Sequence, residues 1–216
     1  METSGGPGTR FRILQEASRL FSELGYGGAS TREIAAAVGI RQQSLRHHFP
    51  SKQAILEELL GFTVDEPLRV VRELAEAAGS PAARLYAYIR FDVEHLQTSP
   101  YTLAGLFGKY LLEDPDLVTY YERASDIYDT VAAIVAEGQA TGEFREIDPD
   151  YAAAAVGTLV EQSFNVWEQY GQKPDVPDFV AQFCLRALLN DPAHLDAIRE
   201  ESLSLQVMLR ETSAGF

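Results

Sequence analysis

The chain has 216 residues, 46% of them apolar and 23% charged, with a formal net charge of −14. A chain of this length buries enough of its own surface to hold a core without staples, and its single cysteine, Cys184, excludes an intrachain disulfide and a cysteine-rich zinc site. No apolar run of about 18 residues is present, which excludes a membrane-spanning helix, and the opening METSGGPGTR lacks the apolar stretch of a secretory signal; the chain reads as a protein of the reducing cytoplasm, with no membrane partner and a disordered tail over 1–9.

From the N-terminus, residues 10–24 set Ile13, Leu14, Ala17, Leu20, Phe21 and Leu24 on one helical stripe, and Gly25 follows as a stop. Ser30, with Glu33 three residues on, forms a capping box that predicts a short helix over 31–38, ended by Gly39. A second short helix covers 41–47. Pro50 and Ser51 open a long amphipathic helix from Lys52, bent or interrupted at Pro67. Beyond Gly79, prolines punctuate the chain at first-turn positions, where a missing N–H costs nothing. Helices are expected over 81–97, 100–112, 115–140 and 149–170, a loop over 171–177, then helices over 178–189 and 192–210. The class is all-α, roughly ten helices, in two domains: a helix-turn-helix head over 10–53 and a helical body over 54–216.

The stretch from Thr31 to Lys52, TREIAAAVGIRQQSLRHHFPSK, carries the chemistry. Two helices crossing steeply over a tight turn need a small residue at the crossing, met by Ala35, and a residue tolerant of a left-handed backbone in the turn, met by Gly39. Ile34, Val38, Ile40 and Leu45 supply the apolar pins to a third helix. This is a helix-turn-helix. Its second helix, the one that enters the major groove, presents Arg41, Gln42, Gln43, Ser44, Arg46 and His47. Arginine matches the two acceptors of guanine and glutamine the donor–acceptor edge of adenine, so the face can read bases. Thr31, Arg32 and Lys52 begin helices, where free N–H groups favour phosphate.

The charge distribution agrees with this division. Residues 1–52 hold seven basic side chains (Arg10, Arg12, Arg19, Arg32, Arg41, Arg46, Lys52) against four acidic ones (Glu2, Glu16, Glu23, Glu33), a net of +3, and the rest of the chain carries −17. A cationic head can approach a polyanion that an acidic body would avoid.

Ile13 to Ile55, with Phe21, Gly25 and Tyr26 in a Phe-x-x-x-Gly-Tyr run, then Arg-Glu-Ile-Ala from Arg32 and His-His-Phe-Pro-Ser-Lys from His47, resembles the DNA-binding head of the tetracycline-repressor (TetR) family of bacterial regulators. The resemblance implies a homodimer that binds a palindromic double-stranded DNA operator, usually as a repressor, and releases it when a small molecule occupies the body. Gln43 stands where the family usually has a small residue, and Arg46 where it usually has a tyrosine; Arg46 offers phosphate a charged contact instead. The family's last two core helices form a four-helix bundle with their mates. Here they would offer Ala152, Ala155, Leu159, Ser163 and Val166, then Val180, Phe183, Cys184 and Ala187, residues that composition alone would place in the chain's own core. Helical face together with the family's geometry suggests Phe91, His95, Phe107, Tyr110, Tyr128, Phe164 and Trp167 as the lining for a small, largely apolar or aromatic effector.

Other features read as structural. His47 and His48 lie about 100° apart on a helix and make no natural metal pair. Asp92 and His95 share a helical face and could form a dyad, but no third metal ligand is at hand. Cys184 lies on an apolar face as a small hydrophobe. No Gly-rich phosphate loop, nucleophile elbow or HExxH is present, so neither catalysis nor a cofactor is expected. Two alternatives stay open at this level: an all-helical enzyme or small-molecule-binding protein whose helix-turn-helix is not used for DNA, and an activator in place of a repressor. The last helix, with Leu195, Ile198, Leu203, Leu205, Val207 and Leu209, either braces a dimer or packs on its own body.

Overall fold

The structure, a computed structural model, describes residues 8–102, 118–170 and 175–213. In chain order these form α1 (Thr9–Gly28), α2 (Thr31–Val38), α3 (Gln42–His48), α4 (Lys52–Glu76), α5 (Pro81–Gln97), α6 (Val118–Ala140), α7 (Pro149–Tyr170), α8 (Val176–Leu188), a 3-10 turn at Pro192–His194, and α9 (Leu195–Ser213). Among the described residues the only pairing of extended type is an isolated antiparallel bridge between Phe144 and Leu189. No described helix is long and apolar enough to cross a membrane. The tail expected over 1–9 falls mostly outside the described residues, as does most of the helix expected over 100–112.

Gly25 interrupts α1 as expected, with φ 73° and ψ 157°, but the chain re-enters one more turn before Ala29. Pro67, expected to bend or interrupt the long helix, sits inside an unbroken α4. One missing N–H is offset there by burial of Val64, Leu68, Val70 and Val71 around it.

Two compact units divide the chain: Met1–Thr63 with Ser99–Tyr120, and Val64–Thr98 with Tyr121–Phe216. The division lies within α4, beyond the boundary at residue 53 that the motif suggests. In the first unit, Ile13, Phe21, Ile34, Leu45, Phe49, Ile55 and Leu59 are buried together. The segment after α5 joins them: Tyr101 packs against Phe11 and Phe62 at ring separations of 5.7 and 5.4 Å, and Thr102 N–H donates to Ser18 Oγ at 3.0 Å.

In the second unit α5 is the centre, packed against α7, α8 and α9. From Pro81 to Ile89 every residue is buried, the pattern of a helix covered on all sides. Its N-terminal amides are satisfied by distant acids: Glu201 of α9 accepts from Ser80 N–H at 2.7 Å, and Glu143 accepts from Ala82 N–H at 3.0 Å. Farther along, Asp178 in the first turn of α8 accepts from Tyr86 Oη at 2.5 Å, Gln182 Nε2 at 2.7 Å and Arg199 Nε at 2.9 Å. Burial would raise this carboxyl's pKa, but those bonds outweigh it and hold the group below its ordinary value. α9 lies on its own chain through Leu195, Ile198, Leu205 and Leu209, while Leu203 and Val207 stay exposed.

The turn after α6 is clasped by Asn190, whose Nδ2 donates to the carbonyls of Gly142 and Phe144, each at 2.9 Å. The Phe144 ring is thereby laid over Gly138, where an added Cβ would overlap the ring. Gly138→Ala is therefore expected to destabilise the protein by about 1–3 kcal/mol through overpacking, read as a lower urea midpoint.

Candidate functional site

The head is built from local hydrogen bonding outward. Ser30 Oγ accepts from Glu33 N–H at 3.2 Å and the Glu33 carboxylate accepts from Ser30 N–H at 2.8 Å, the capping box the sequence predicts. Hydrogen bonds from the Ser30 side chain, then its backbone, hold the Glu33 carboxyl below its ordinary pKa. α2 ends at Gly39 with φ 74° and ψ 32°, a left-handed conformation that costs glycine no Cβ clash. Ile40 N–H then returns to the Ala35 carbonyl at 2.9 Å, closing the turn. α3 follows without a side-chain cap at Arg41, and Leu45 is the one α3 residue fully buried.

With Leu45 inward, Arg41, Gln42, Gln43, Ser44, Arg46 and His47 are all exposed, and Thr31 and Arg32 stand at the start of α2. Gln42 Nε2 donates to Thr31 Oγ1 at 3.2 Å, joining the two helices. Among the described residues Arg12, Arg32, Arg41 and Arg46 are in no ion pair. The other basic groups of the head serve its own structure. Arg10 bonds the Glu58 carboxylate, donates to the His48 carbonyl at 2.7 Å and lies 4.1 Å above the Phe49 ring. Arg19 pairs with Glu16 and Glu23.

Lys52, expected at phosphate, is turned inward instead. Its Nζ donates to the carbonyls of Tyr26 at 2.6 Å and Ala29 at 2.9 Å, and sits 4.1 Å from the Tyr26 ring centroid. The reason is the break at Gly25: the last turn of α1 leaves carbonyls that need donors, and the first residue of α4 is within reach. Partial burial lowers the Lys52 pKa. Sequence could not distinguish this lysine from a surface cation, because its partners are backbone atoms 23 and 26 residues away.

In the second unit the expected effector residues whose side chains are described lie on α5 and α6. Phe91 and His95 stack on α5 with ring centroids 5.8 Å apart. Tyr128 of α6 lies on Gly157 of α7, where a Cβ would come within 2.5 Å of the ring, and its hydroxyl donates to Glu161 at 3.2 Å. Phe107 and Tyr110 lie outside the described residues, and so do the side chains of Phe164, Trp167 and Val166 on α7. Asp92, considered with His95, pairs instead with Tyr88 one turn earlier, whose hydroxyl donates to it at 2.9 Å. Burial pushes the Asp92 carboxyl up to about 7, against the Tyr88 hydrogen bond and with added repulsion from Glu161. The Tyr88-x-x-x-Asp92 spacing was a legible signal for this pair; the approach of Glu161 from another helix was not. Burial likewise raises the Cys184 thiol to about 11, the environment of a packed side chain and not of a nucleophile. Among the described residues no three His, Cys, Asp or Glu side chains converge on a metal position.

Of the residues proposed for a dimer face, Ala152, Ser163, Val180 and Cys184 are buried in their own chain, while Ala155, Leu159, Phe183 and Ala187 are exposed. The outward apolar rows run at four-residue spacing through Tyr151 (76% exposed), Ala155 and Leu159 on α7, and Phe179 (67%), Phe183 and Ala187 on α8. Each helix buries one flank in its own unit, so a single stripe of small residues could not reveal which flank faces out. Tyr151 and Phe179, both in first turns, belong to these outward rows, and the sequence reading did not single them out for that reason.

Comparison with known proteins places both halves. A family profile described as bacterial regulatory proteins, tetR family, matches residues 13–59, and one described as tetracyclin repressor-like, C-terminal domain, matches residues 78–188. The HTH-type transcriptional repressor KstR2 of Rhodococcus jostii (strain RHA1) is 29% identical over 154 residues, covering 70% of this chain and 76% of that repressor. The crystal structure of Mycobacterium smegmatis AmtR superposes with a TM-score of 0.80 at 30% identity, over 94% of this chain and 98% of that one. AibR, solved in complex with isovaleryl coenzyme A and operator DNA, shares the fold with a TM-score of 0.67 at 24% identity, over 83% of this chain and 98% of its own.

Lys52→Gln is expected to cost about 1–3 kcal/mol of stability, while duplex-DNA binding by the folded fraction stays near that of the parent; urea unfolding and a fluorescence binding titration check the two. A second expectation concerns pH. The Asp92 pKa of about 7 lies above its ordinary value of 3.8, so the native state holds a proton the unfolded chain releases. The resulting contribution is complete below about pH 4 and is lost as pH rises through about 7, with a slope of up to about 1.4 kcal/mol per pH unit. Urea unfolding between pH 5 and 8 should show stability falling with pH in the parent and a flatter profile in Asp92→Asn.

Proposed function

We propose that this chain, which belongs to the tetR family of bacterial regulatory proteins, is a ligand-responsive transcriptional repressor of the cytoplasm, a regulator and not an enzyme. It binds a palindromic operator as a homodimer and leaves it when a small, largely apolar or aromatic molecule occupies the body. The observation that carries this reading is the surface of α3. A helix with one buried residue presents two glutamines and two arginines that have no acidic partner among the described residues. Such groups are left for an external acceptor, and their chemistry matches base edges and phosphate.

In this reading Arg41, Gln42, Gln43 and Ser44 meet bases, Arg46 and His47 meet base or phosphate, and Thr31 and Arg32 hold phosphate. Lys52 holds the head together. One head reads a half-site, so two must stand about one DNA turn apart, and the outward rows of α7 and α8 supply the pairing surface. The AibR complex with isovaleryl coenzyme A and operator DNA is a precedent for one fold holding both kinds of partner. For the effector, the reading takes the region of Phe91, His95 and Tyr128, with Asp92 and Glu161 as polar handles. α4 supplies residues to both compact units without a break, and so is the path by which a shift in the body reaches the head. Coupling of this kind typically amounts to 1–3 kcal/mol.

Selection of bound fragments from random duplex DNA, followed by titration at rising salt, tests the proposal. Arg41→Ala is expected to weaken binding to the selected duplex on the order of tenfold and to make the salt slope shallower by about one. Its melting temperature should not change, because the Arg41 side chain is exposed and, among the described residues, in no hydrogen bond or ion pair. A protein that stays monomeric at working concentration, or binds no duplex in dilute buffer, would overturn the reading.

A further inference from the structure

We infer that Thr31 is a positioning residue for base recognition: it holds the Gln42 amide in the orientation that reads adenine, while its own hydroxyl proton goes to a backbone phosphate. This rests on the DNA-binding reading above and adds to it a residue whose effect on sequence preference is indirect.

Few contacts hold α3 in place. It has seven residues, no side-chain cap at Arg41 and one buried anchor, Leu45. Gln42 is its first residue and is exposed, and an exposed glutamine has rotamer freedom to lose when it meets a base. Here that freedom is already restricted, because Nε2 donates to Thr31 Oγ1 at 3.2 Å across eleven positions of sequence. A carboxamide has two N–H donors and one carbonyl acceptor. With one N–H on Thr31, one donor and one acceptor remain, which is the complement of the adenine N7 and N6 edge. The residues at the N-terminal end of a recognition helix are the ones that reach base edges.

Thr31 completes the arrangement. Its oxygen accepts from Gln42, so its hydroxyl hydrogen is available to an outside acceptor. Its neighbour Arg32 is exposed and in no ion pair among the described residues, which makes this end of α2 suited to an anion. Ser30 and Glu33 satisfy each other in the capping box and do not compete for Thr31. Phosphate, Thr31, Gln42 and adenine thus form one hydrogen-bonded row, in which contact with the backbone sets the angle of the base reader.

The test uses the full-length protein and a pool of random-sequence duplex DNA. The parent is expected to enrich an adenine at one position of each half-site, with a preference on the order of tenfold over the other bases. Gln42→Ala should lose the preference at that position alone. Thr31→Val, which keeps the shape and removes the hydroxyl, should lose it at the same position and also bind every duplex more weakly; Thr31→Ser should restore both. In the Gln42→Ala background, Thr31→Val should weaken binding uniformly and alter no base preference further. Thermal melting of each variant separates these effects from loss of fold. The inference is overturned if Thr31→Val weakens all duplexes by one common factor and enriches the parental sequence unchanged, or if the position sensitive to Gln42→Ala is not adenine. Enrichment of no sequence by the parent would instead remove the regulator reading, and this inference with it.

Discussion

Burial of Leu45 governs which side of α3 is left exposed. α3 is too short to persist by its own hydrogen bonds, since a helix of two turns barely repays its nucleation. What keeps it in place is one apolar side chain in the core of the head and a turn that delivers it there. That turn needs Gly39 in a left-handed conformation so that Ile40 N–H can reach the Ala35 carbonyl. Because only Leu45 is fully buried, the polar residues of α3 from Gln42 to His47 remain on the outside together. Exposure of this polar face is a geometric result of anchoring a short helix at one point.

A second consequence concerns charge. The excess of positive side chains in the head is not spread evenly over its surface. Arg10, Arg19 and Lys52 are engaged with Glu58, with Glu16 and Glu23, and with backbone carbonyls, and they tie α1, α3 and α4 into one piece. Arg32, Arg41 and Arg46 are in no ion pair among the described residues and lie on or beside the helix-turn-helix. The cations that build the head and those with no acidic partner among the described residues are therefore different residues. The strongly acidic remainder of the chain disfavours the approach of a polyanion to it.

The second unit is organised by the opposite use of acids. α5 is enclosed by other helices, and Glu143, Glu201 and Asp178 approach it from distant segments to satisfy its amides and its Tyr86 hydroxyl. These carboxylates are accounted for by their hydrogen bonds. Asp92 and Glu161 are not so well provided for: each accepts a hydrogen bond from a phenol, burial raises both, and their mutual repulsion raises Asp92 further. A polar pair held in this way within an apolar bundle is sensitive to whatever binds or titrates beside it.

The periodicity of apolar residues, the proline and glycine punctuation, and the capping box at Ser30 were enough to establish an all-helical chain with a helix-turn-helix near its start. Those signals are local, lying within one or two helical turns, and so they survive in a one-dimensional record. The exposure of the polar residues of α3 was legible on the same ground, because Leu45 alone breaks their polar run. Which cation is free and which is internal was not legible. Lys52 was misplaced because its partners are main-chain carbonyls freed by a kink at Gly25, and a carbonyl has no letter of its own. The outward flanks of α7 and α8 were also undetermined, since each helix has two apolar flanks and only packing against α5 decides which is covered. Sequence by itself determined the elements and the chemistry available on them; the tertiary structure decided which groups are already satisfied and which are left to meet a partner, because that depends on contacts between residues far apart in the chain.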